Sequence, residues 1–322
     1  MDVSPLPFDR RAFLAGCAAF GLNACGPRRI GGPTELVLGD QASLSRAKAE
    51  AAGVLERVPY RYEWANFVGA APLFEALAAG AVDTAPAGDV PVIQAIAGKA
   101  PLKIIAATRS DADDIAILLP PGSAIRKVAD LVGREVIISS ARGSISHYLL
   151  LGALREAGVA PSRVRIGFML PNDAAAAFAS GRIEAWATFG IYQATAESRG
   201  ARILRDGRGI NSGIGVLAAG DAALADRDKR RALADYLVRQ KAANDWARAN
   251  PEAYARIYAE RTGVPIEIIR LVVRRQNPPL IAPDAAISAA LQKVADNFYA
   301  DGVLPERVEI AAYIDASLLP SG

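Results

Sequence analysis

The chain has a single histidine, His147. It follows a run of small polar residues, Ser139-Ser140-Ala141-Arg142-Gly143-Ser144-Ile145-Ser146, and precedes the apolar stretch Tyr148-Leu149-Leu150-Leu151. Two chemistries could use such a run. A serine nucleophile needs a histidine within reach and an acid that orients it, yet no G-x-S-x-G elbow is present. A metal centre needs several His, Cys or acidic ligands at set spacing, and one histidine without HxxxH or CxxC does not supply them. The other chemistry is anion binding. Gly143 permits a tight turn, Ser144 can cap a helix, and Ser146 and His147 fall in its first turn. A helix start presents unpaired N–H donors and the positive end of the dipole, and Arg142 can add a charge-assisted, bidentate contact. Plain capping, with Arg142 solvated and His147 packed at the helix edge, accounts for the loop slightly better when it is read alone.

The elements that must hold this loop follow from hydrophobic patterning. Short apolar strands alternate with helices: strands at 36–39, 60–67, 82–89 and 102–109, helices at 43–56, 70–79 and 89–97. That alternation predicts mostly parallel sheets covered by helices. The pattern then restarts. At a gapless offset of 101 residues, Val37 meets Ile138, Ser43 meets Ser144, Phe67 meets Phe168, Gly80 meets Gly181 and Asp83 meets Glu184. Two related α/β lobes with a cleft between them follow, and clefts at the carboxyl edge of such sheets collect ligands. The repeated Ser43 loop moves the reading of the Ser144 loop from capping toward binding. After Gly220 the chain turns helical, with helices expected over 222–249, 251–261, 265–275 and 285–300, the first capped by Asp221.

Further polar groups sit at related places. Gly88 and Asp89 stand at another helix start, where Asp89 is a good N-cap. Phe189 and Tyr192, after the last second-lobe strand, either wall a ligand's organic part or are ordinary core. Asn211 and Ser212 lie in a loop before an apolar strand. Asp111, Asp113 and Asp114 read as a solvated turn. No P-loop or G-x-G-x-x-G follows a strand, and no cofactor is expected.

Composition narrows the class. Of 322 residues, 52% are hydrophobic, enough for large cores. The net charge of +3 is spread without a basic stripe, which disfavours nucleic acid as partner. The leader is distinctive: Arg10-Arg11 precedes an apolar run over 13–24, too short to span a bilayer but of signal-peptide length. Both cysteines lie here. Leu22-Asn23-Ala24-Cys25 resembles a lipoprotein cleavage box, which makes 1–24 an export signal of twin-arginine type and Cys25 the lipidated first residue. Leu14-Ala15-Gly16-Cys17 fits the box by composition but leaves too little apolar run behind the arginines. The exported chain then has no pair of cysteines for a disulfide.

The segments "FEALAAGAVDTAPAGDVPVIQAIAG", "VADLVGREVIISSARGSISHYLLLGALREAG", "LPNDAAAAFASGRIEAWATFGIY" and "LQKVADNFYADGVLPERV" together resemble the solute-binding proteins of ABC importers for sulfonates, taurine and nitrate, the aliphatic-sulfonate binders above all. The resemblance implies a two-lobed α/β periplasmic binding protein (type II) fold with the ligand cleft between the lobes. Lobe 1 is expected over 34–118 and 217–319, lobe 2 over 119–216. It further implies a periplasmic, monomeric, non-enzymatic protein that closes on a small organic anion and delivers it to an inner-membrane ABC permease. By matching position the ligand contacts would be Gln41 and Ser43 in lobe 1 and Ser144, Ser146 and His147 in lobe 2. The residue reading adds Gly88, Asp89, Arg142, Phe189, Tyr192 and Asn211. Where sulfonate binders read Trp-Asp-Pro-Tyr, this chain reads Phe189-Gly190-Ile191-Tyr192, and its "GDQASLS" loop lacks the usual lysine. Both departures point to a bulkier or aromatic sulfonate, or another small organic acid. The competing class is an enzyme on the same fold. A desulfinase would use a first-lobe cysteine that this chain lacks, and a pyrimidine-precursor enzyme would call for more His and Cys.

Overall fold

The computed structural model describes residues 33–319. The arginine pair, Cys17 and Cys25, and with them the expected export signal and lipidation site, lie outside these residues. The chain opens with strand β1 (Glu35–Gln41), helix α1 (Leu44–Ala51), strand β2 (Arg61–Phe67), helix α2 (Ala70–Ala78), strand β3 (Thr84–Gly88), helix α3 (Asp89–Ala97) and strand β4 (Leu102–Arg109). A second series follows: β5 (Ile115–Leu119), β6 (Glu135–Ser139), α4 (Ile145–Glu156), β7 (Arg165–Met169), α5 (Pro171–Ala179), β8 (Trp186–Phe189), α6 (Gly190–Ser198) and β9 (Arg202–Asp206). The last part holds β10 (Ile214–Gly220), α7 (Asp221–Ala225), α8 (Arg227–Ala249), α9 (Pro251–Thr262), α10 (Ile266–Arg275), β11 (Leu280–Ile281) and α11 (Ala285–Ala300).

The strands form two sheets of matching topology. One runs β2-β1-β3-β10-β4-β11, the other β7-β6-β8-β5-β9. In the first, β1 is parallel to β2 and β3, and β10 is antiparallel to β3 and β4. In the second, β6 is parallel to β7 and β8, and β5 is antiparallel to β8 and β9. The repeat seen at an offset of 101 residues is thus a repeat of topology. In each lobe the antiparallel strand is the one that enters after the chain has crossed from the other lobe.

The crossings occupy 110–114 and 207–213, so the boundaries expected at 118/119 and 216/217 fall inside β5 and β10. The error has a physical source. Strand β5 is buried at all five positions, and a strand covered on both faces carries no alternation that tells which sheet it joins. The expected solvated turn is also corrected. Asp114 accepts from Gln276 Nε2 at 2.6 Å and Asp113 from Arg208 Nη2 at 2.9 Å, and burial pushes the Asp114 carboxyl above its ordinary value. Only Asp111 of the three is exposed.

The helix forecast differs at two starts and one end. Residues 222–249 form two helices, because the Asp226 side chain accepts from the amides of Asp228 at 2.9 Å and Lys229 at 3.1 Å and begins α8 afresh. Asp221 is the first residue of the short α7 and caps nothing. Helix α1 ends at Ala51, just before Gly53 at φ 63. Apolar clusters pack on both faces of the first sheet, around Leu73, Ile93, Ile104 and Phe298 on one side and Leu36, Leu38, Leu233 and Tyr236 on the other. The second sheet is sandwiched by clusters around Ile117, Leu149 and Leu154 and around Phe178 and Trp186. No helix among the described residues is long and apolar enough to cross a membrane.

Candidate functional site

The carboxyl ends of β1, β3, β6 and β8 lead into α1, α3, α4 and α6, so four helix starts arise at the two sheet edges. Contacts across the lobes set those edges face to face. Gln94 Nε2 of α3 donates to the Gly143 carbonyl at 2.8 Å. A Cβ on Gly88 would lie 3.3 Å from Ile145 Cδ1, and Leu44 and Ala47 of α1 share an apolar cluster with Ile191 and Ala194 of α6. Gly143 has φ +77, and a Cβ there would overlap the Gln94 amide. Glycine is required at that turn both for its conformation and for the close approach.

At the start of α4, Ser144 is the N-cap. Its Oγ donates to the Ser139 carbonyl at 3.1 Å and accepts from the His147 amide at a long 3.4 Å. The amides of Ile145 and Ser146 have no partner among the described residues. The Ser146 side chain is fully buried, and its hydroxyl is without a hydrogen bond. A buried, unsatisfied hydroxyl costs about 1–3 kcal/mol, so the site holds a donor in reserve. Arg142, exposed beside it, makes no ion pair or hydrogen bond to a described residue. Asn211 braces the helix from the second crossing, donating Nδ2 to the Ile145 carbonyl at 3.3 Å. Its Oδ1 is buried and unpartnered.

His147 is settled by its neighbours. Its Nδ1 accepts from the Gly143 amide at 3.0 Å, which leaves the proton on Nε2. Its ring meets Phe168 edge-on at 5.5 Å. Burial, with help from the Arg142 charge, pushes its pKa from 6.5 to about 4. The ring is neutral at pH 7 and braces the turn; it donates to no hydroxyl among the described residues.

The equivalent start in lobe 1 is built differently. The Asp40 carboxylate, 1% exposed, accepts from the amides of Gln41 at 2.8 Å, Ser45 at 3.1 Å and Arg46 at 2.9 Å. Two first-turn donors of α1, the amides of Ser45 and Arg46, are therefore already spent on the chain's own acid. Burial raises the Asp40 carboxyl despite these bonds, and lowers buried Lys48 to about 8 against the pull of Asp40. Ser43 takes a left-handed conformation (φ 56) and makes no side-chain cap; its amide donates to Asn66 Oδ1 at 3.0 Å. Gln41 Nε2 is given to the Pro86 carbonyl at 2.6 Å.

The remaining candidates divide. Gly88, not Asp89, is the N-cap of α3. Asp89 is buried and accepts from its neighbour's amide, Val90, at 2.7 Å and from Ser212 Oγ at 2.5 Å, tying α3 to the second crossing. Burial raises its carboxyl. Phe189 and Tyr192 form an edge-to-face pair at 6.3 Å at the start of α6, and the Tyr192 hydroxyl donates to Asn172 Oδ1 at 3.0 Å. Sequence reasoning missed Asp40, whose one signal was its place opposite Ala141 in the repeat, and missed Gln94 and Gln276, which act across lobes and leave no local pattern. Two open depressions, of about 460 and 290 Å³, lie at Arg227, Arg230 and Arg231 and around Pro120–Ile125, outside the cleft. No group of three His, Cys, Asp or Glu placed to hold a metal occurs among the described residues.

Comparisons with known proteins agree with this architecture. A family model described as the phosphonate periplasmic substrate-binding protein of ABC transporters matches residues 67–241. A protein of Escherichia coli (strain K12) named for aliphatic-sulfonate binding is 33% identical over 86% of this chain and 88% of its own length. The alkanesulfonate-binding protein SsuA from Xanthomonas axonopodis pv. citri, solved bound to MOPS, superposes with a TM-score of 0.79 at 28% identity, covering 89% of this chain and 99% of that one. The desulfurization enzyme DSZB, at 16% identity and a TM-score of 0.67 over 88% of this chain and 97% of its own, shares the fold alone.

Proposed function

The chain belongs to the periplasmic substrate-binding proteins of ABC transporters, and on that premise we propose that it captures a small organic anion, a sulfonate above all, as a monomer and hands it to a membrane permease. One observation carries the choice of site: the start of α4, where two unpartnered amides, the buried free hydroxyl of Ser146 and the unpaired Arg142 converge. Helix-start amides and hydroxyls bind an anion without a buried counter-charge to desolvate. The exposed Arg142 adds attraction during approach. The sulfonate follows from the relatives, two of which are named for sulfonate ligands. Phe189 and Tyr192 flank the organic tail, and Asn211 and neutral His147 hold the loop in shape.

The mechanism is closure of two lobes on one ligand. Gln94, Asp89 and Gln276 link α3 and the segment after α10 to the other lobe or to the crossings. They favour the closed form once the anion satisfies the start of α4. The absence of cysteine after Cys25 in the sequence supports binding rather than desulfination. Export through the arginine-pair leader and anchoring through a lipidated Cys25 complete the proposal. A Cys25→Ser protein that still fractionates with membranes would remove the anchor. The test of function is a thermal-shift panel of alkane- and arenesulfonates, taurine, sulfate, nitrate and carboxylates. A ligand at about 100 times its Kd adds about 2.7 kcal/mol of stability. A sulfonate-specific shift supports the reading, and shifts by carboxylates alone would discard the sulfonate.

A further inference from the structure

The two lobes contain the same helix start twice, once with an acid built in. At the offset of 101 residues, Asp40, Ser45, Arg46 and Lys48 stand opposite Ala141, Ser146, His147 and Leu149. In lobe 1 the Asp40 carboxylate takes the amides of Ser45 and Arg46, and the Ser45 hydroxyl as well. In lobe 2 the matching position of the repeat is Ala141, an exposed residue with only a methyl group. The Ser146 hydroxyl, the counterpart of Ser45, is fully buried and has no partner. The orphan donor is the one whose acceptor Ala141 cannot supply. The acid and the buried lysine that faces it electrostatically occur together in lobe 1, and both are apolar residues in lobe 2.

We infer that the Asp40 carboxylate occupies within lobe 1 the place that the ligand's anionic group takes in lobe 2, and that Asp40 thereby restricts the cleft to ligands with a single anionic end. The inference rests on the reading that the start of α4 receives a small organic anion. A second anionic end reaching lobe 1 would meet the amides of Ser45 and Arg46 already engaged, a Gln41 side-chain amide already given to Pro86, and behind them a buried acid, Asp40, that already has Lys48 as its counter-charge. Next to Gln41 the β2 end pairs Phe67 in register and leads to fully exposed Val68. This wall suits an apolar tail. The ligand class is then alkyl or aryl monosulfonates, with α,ω-disulfonates and sulfocarboxylates rejected, since a second anionic end would be desolvated against a wall whose donors and counter-charge are already engaged.

The experiment compares pentanesulfonate with the matching α,ω-disulfonate by calorimetric titration of wild type and Asp40→Asn, alongside melting curves of Ala141→Asp. The wild type is expected to prefer the monosulfonate, and Asp40→Asn to narrow that preference about tenfold. Ala141→Asp, which gives lobe 2 its own acid, is expected to melt higher than wild type and to lose its sulfonate-induced shift. A preference unchanged in Asp40→Asn, with the monosulfonate still bound, overturns the role of Asp40 and leaves the proposed function standing. If the wild type binds no sulfonate, the proposed function fails instead. The selectivity assigned to Asp40 then fails with it, and the melting of Ala141→Asp tests only the equivalence of the two helix starts: a rise supports it, and a fall refutes it.

Discussion

Helices α1 and α4 begin at equivalent points of equivalent sheets, yet one start is closed and the other open. At α1, Asp40 takes the amides of Ser45 and Arg46 from within. At α4, Ser144 reaches only the His147 amide, at 3.4 Å, and leaves two amides and a buried hydroxyl unmet. Since unpaired buried donors are costly, the difference marks where the fold gives up stability for recognition. On the proposed function, lobe 1 is a scaffold at this point and lobe 2 the receptor.

Breaking the closed start should have the largest effect on folding. Asp40→Ala removes the acceptor of the α1 amides and is expected to lower stability by about 2 kcal/mol, read from urea unfolding. Monosulfonate affinity per folded molecule should hold. A protein as stable as wild type would mean that Asp40 does not organise α1. The open start should respond in the opposite sense. Ser146→Ala deletes an unsatisfied hydroxyl, so the ligand-free protein is expected to gain about 1 kcal/mol, while binding weakens by about 1–2 kcal/mol. Both effects come from one protein by melting and titration, and a loss of stability would show that the hydroxyl is paired after all. A smaller effect is expected for Arg142→Ala, a loss of about 1 kcal/mol in affinity that fades as salt rises. A salt-independent loss would assign Arg142 a packing role.

The smallest expected effect is none. Because burial pushes His147 to about 4 and Lys48 only to about 8, monosulfonate affinity should stay flat between pH 7 and 6, and a rise across that span would indicate an imidazolium at the anion. Folding carries the signature instead. A folded pKa below the unfolded 6.5 means that the unfolded chain binds the proton more readily. The contribution of His147 is fully present above pH 6.5 and is lost as pH falls toward 4. His147→Gln should flatten that part of the stability–pH curve.

Much of this was legible in the sequence because strand and helix periods are local. Strand β4 and helices α3 and α11 fall where apolar spacing puts them, and Gly143 and Ser144 take the turn and cap positions that their chemistry suits. What was not legible depends on distance along the chain. Asp89 reads as a cap by position, but its partner Ser212 lies 123 residues away. Asp114 reads as solvent-facing, but Gln276 covers it from 162 residues away. The start of α1 shows a subtler limit. Gln41 and Ser43 have the right types for a ligand, and only the geometry of Asp40 reveals that the donors around them are already taken.

The two crossings also dictate an order of birth. The second sheet draws all five of its strands from one unbroken stretch, Ile115 to Asp206, whereas the first lacks β10 until residues 214–220 have been made. As the chain emerges from the ribosome, lobe 2 can complete its hydrogen-bonded sheet while β3 and β4 still wait for the strand that separates them. Sequence-distant pairing of that kind is slow and leaves strand edges exposed. The half of the molecule that is encoded first is therefore the half that finishes last, and until it does, β3 and β4 are the edges a chaperone would have to guard.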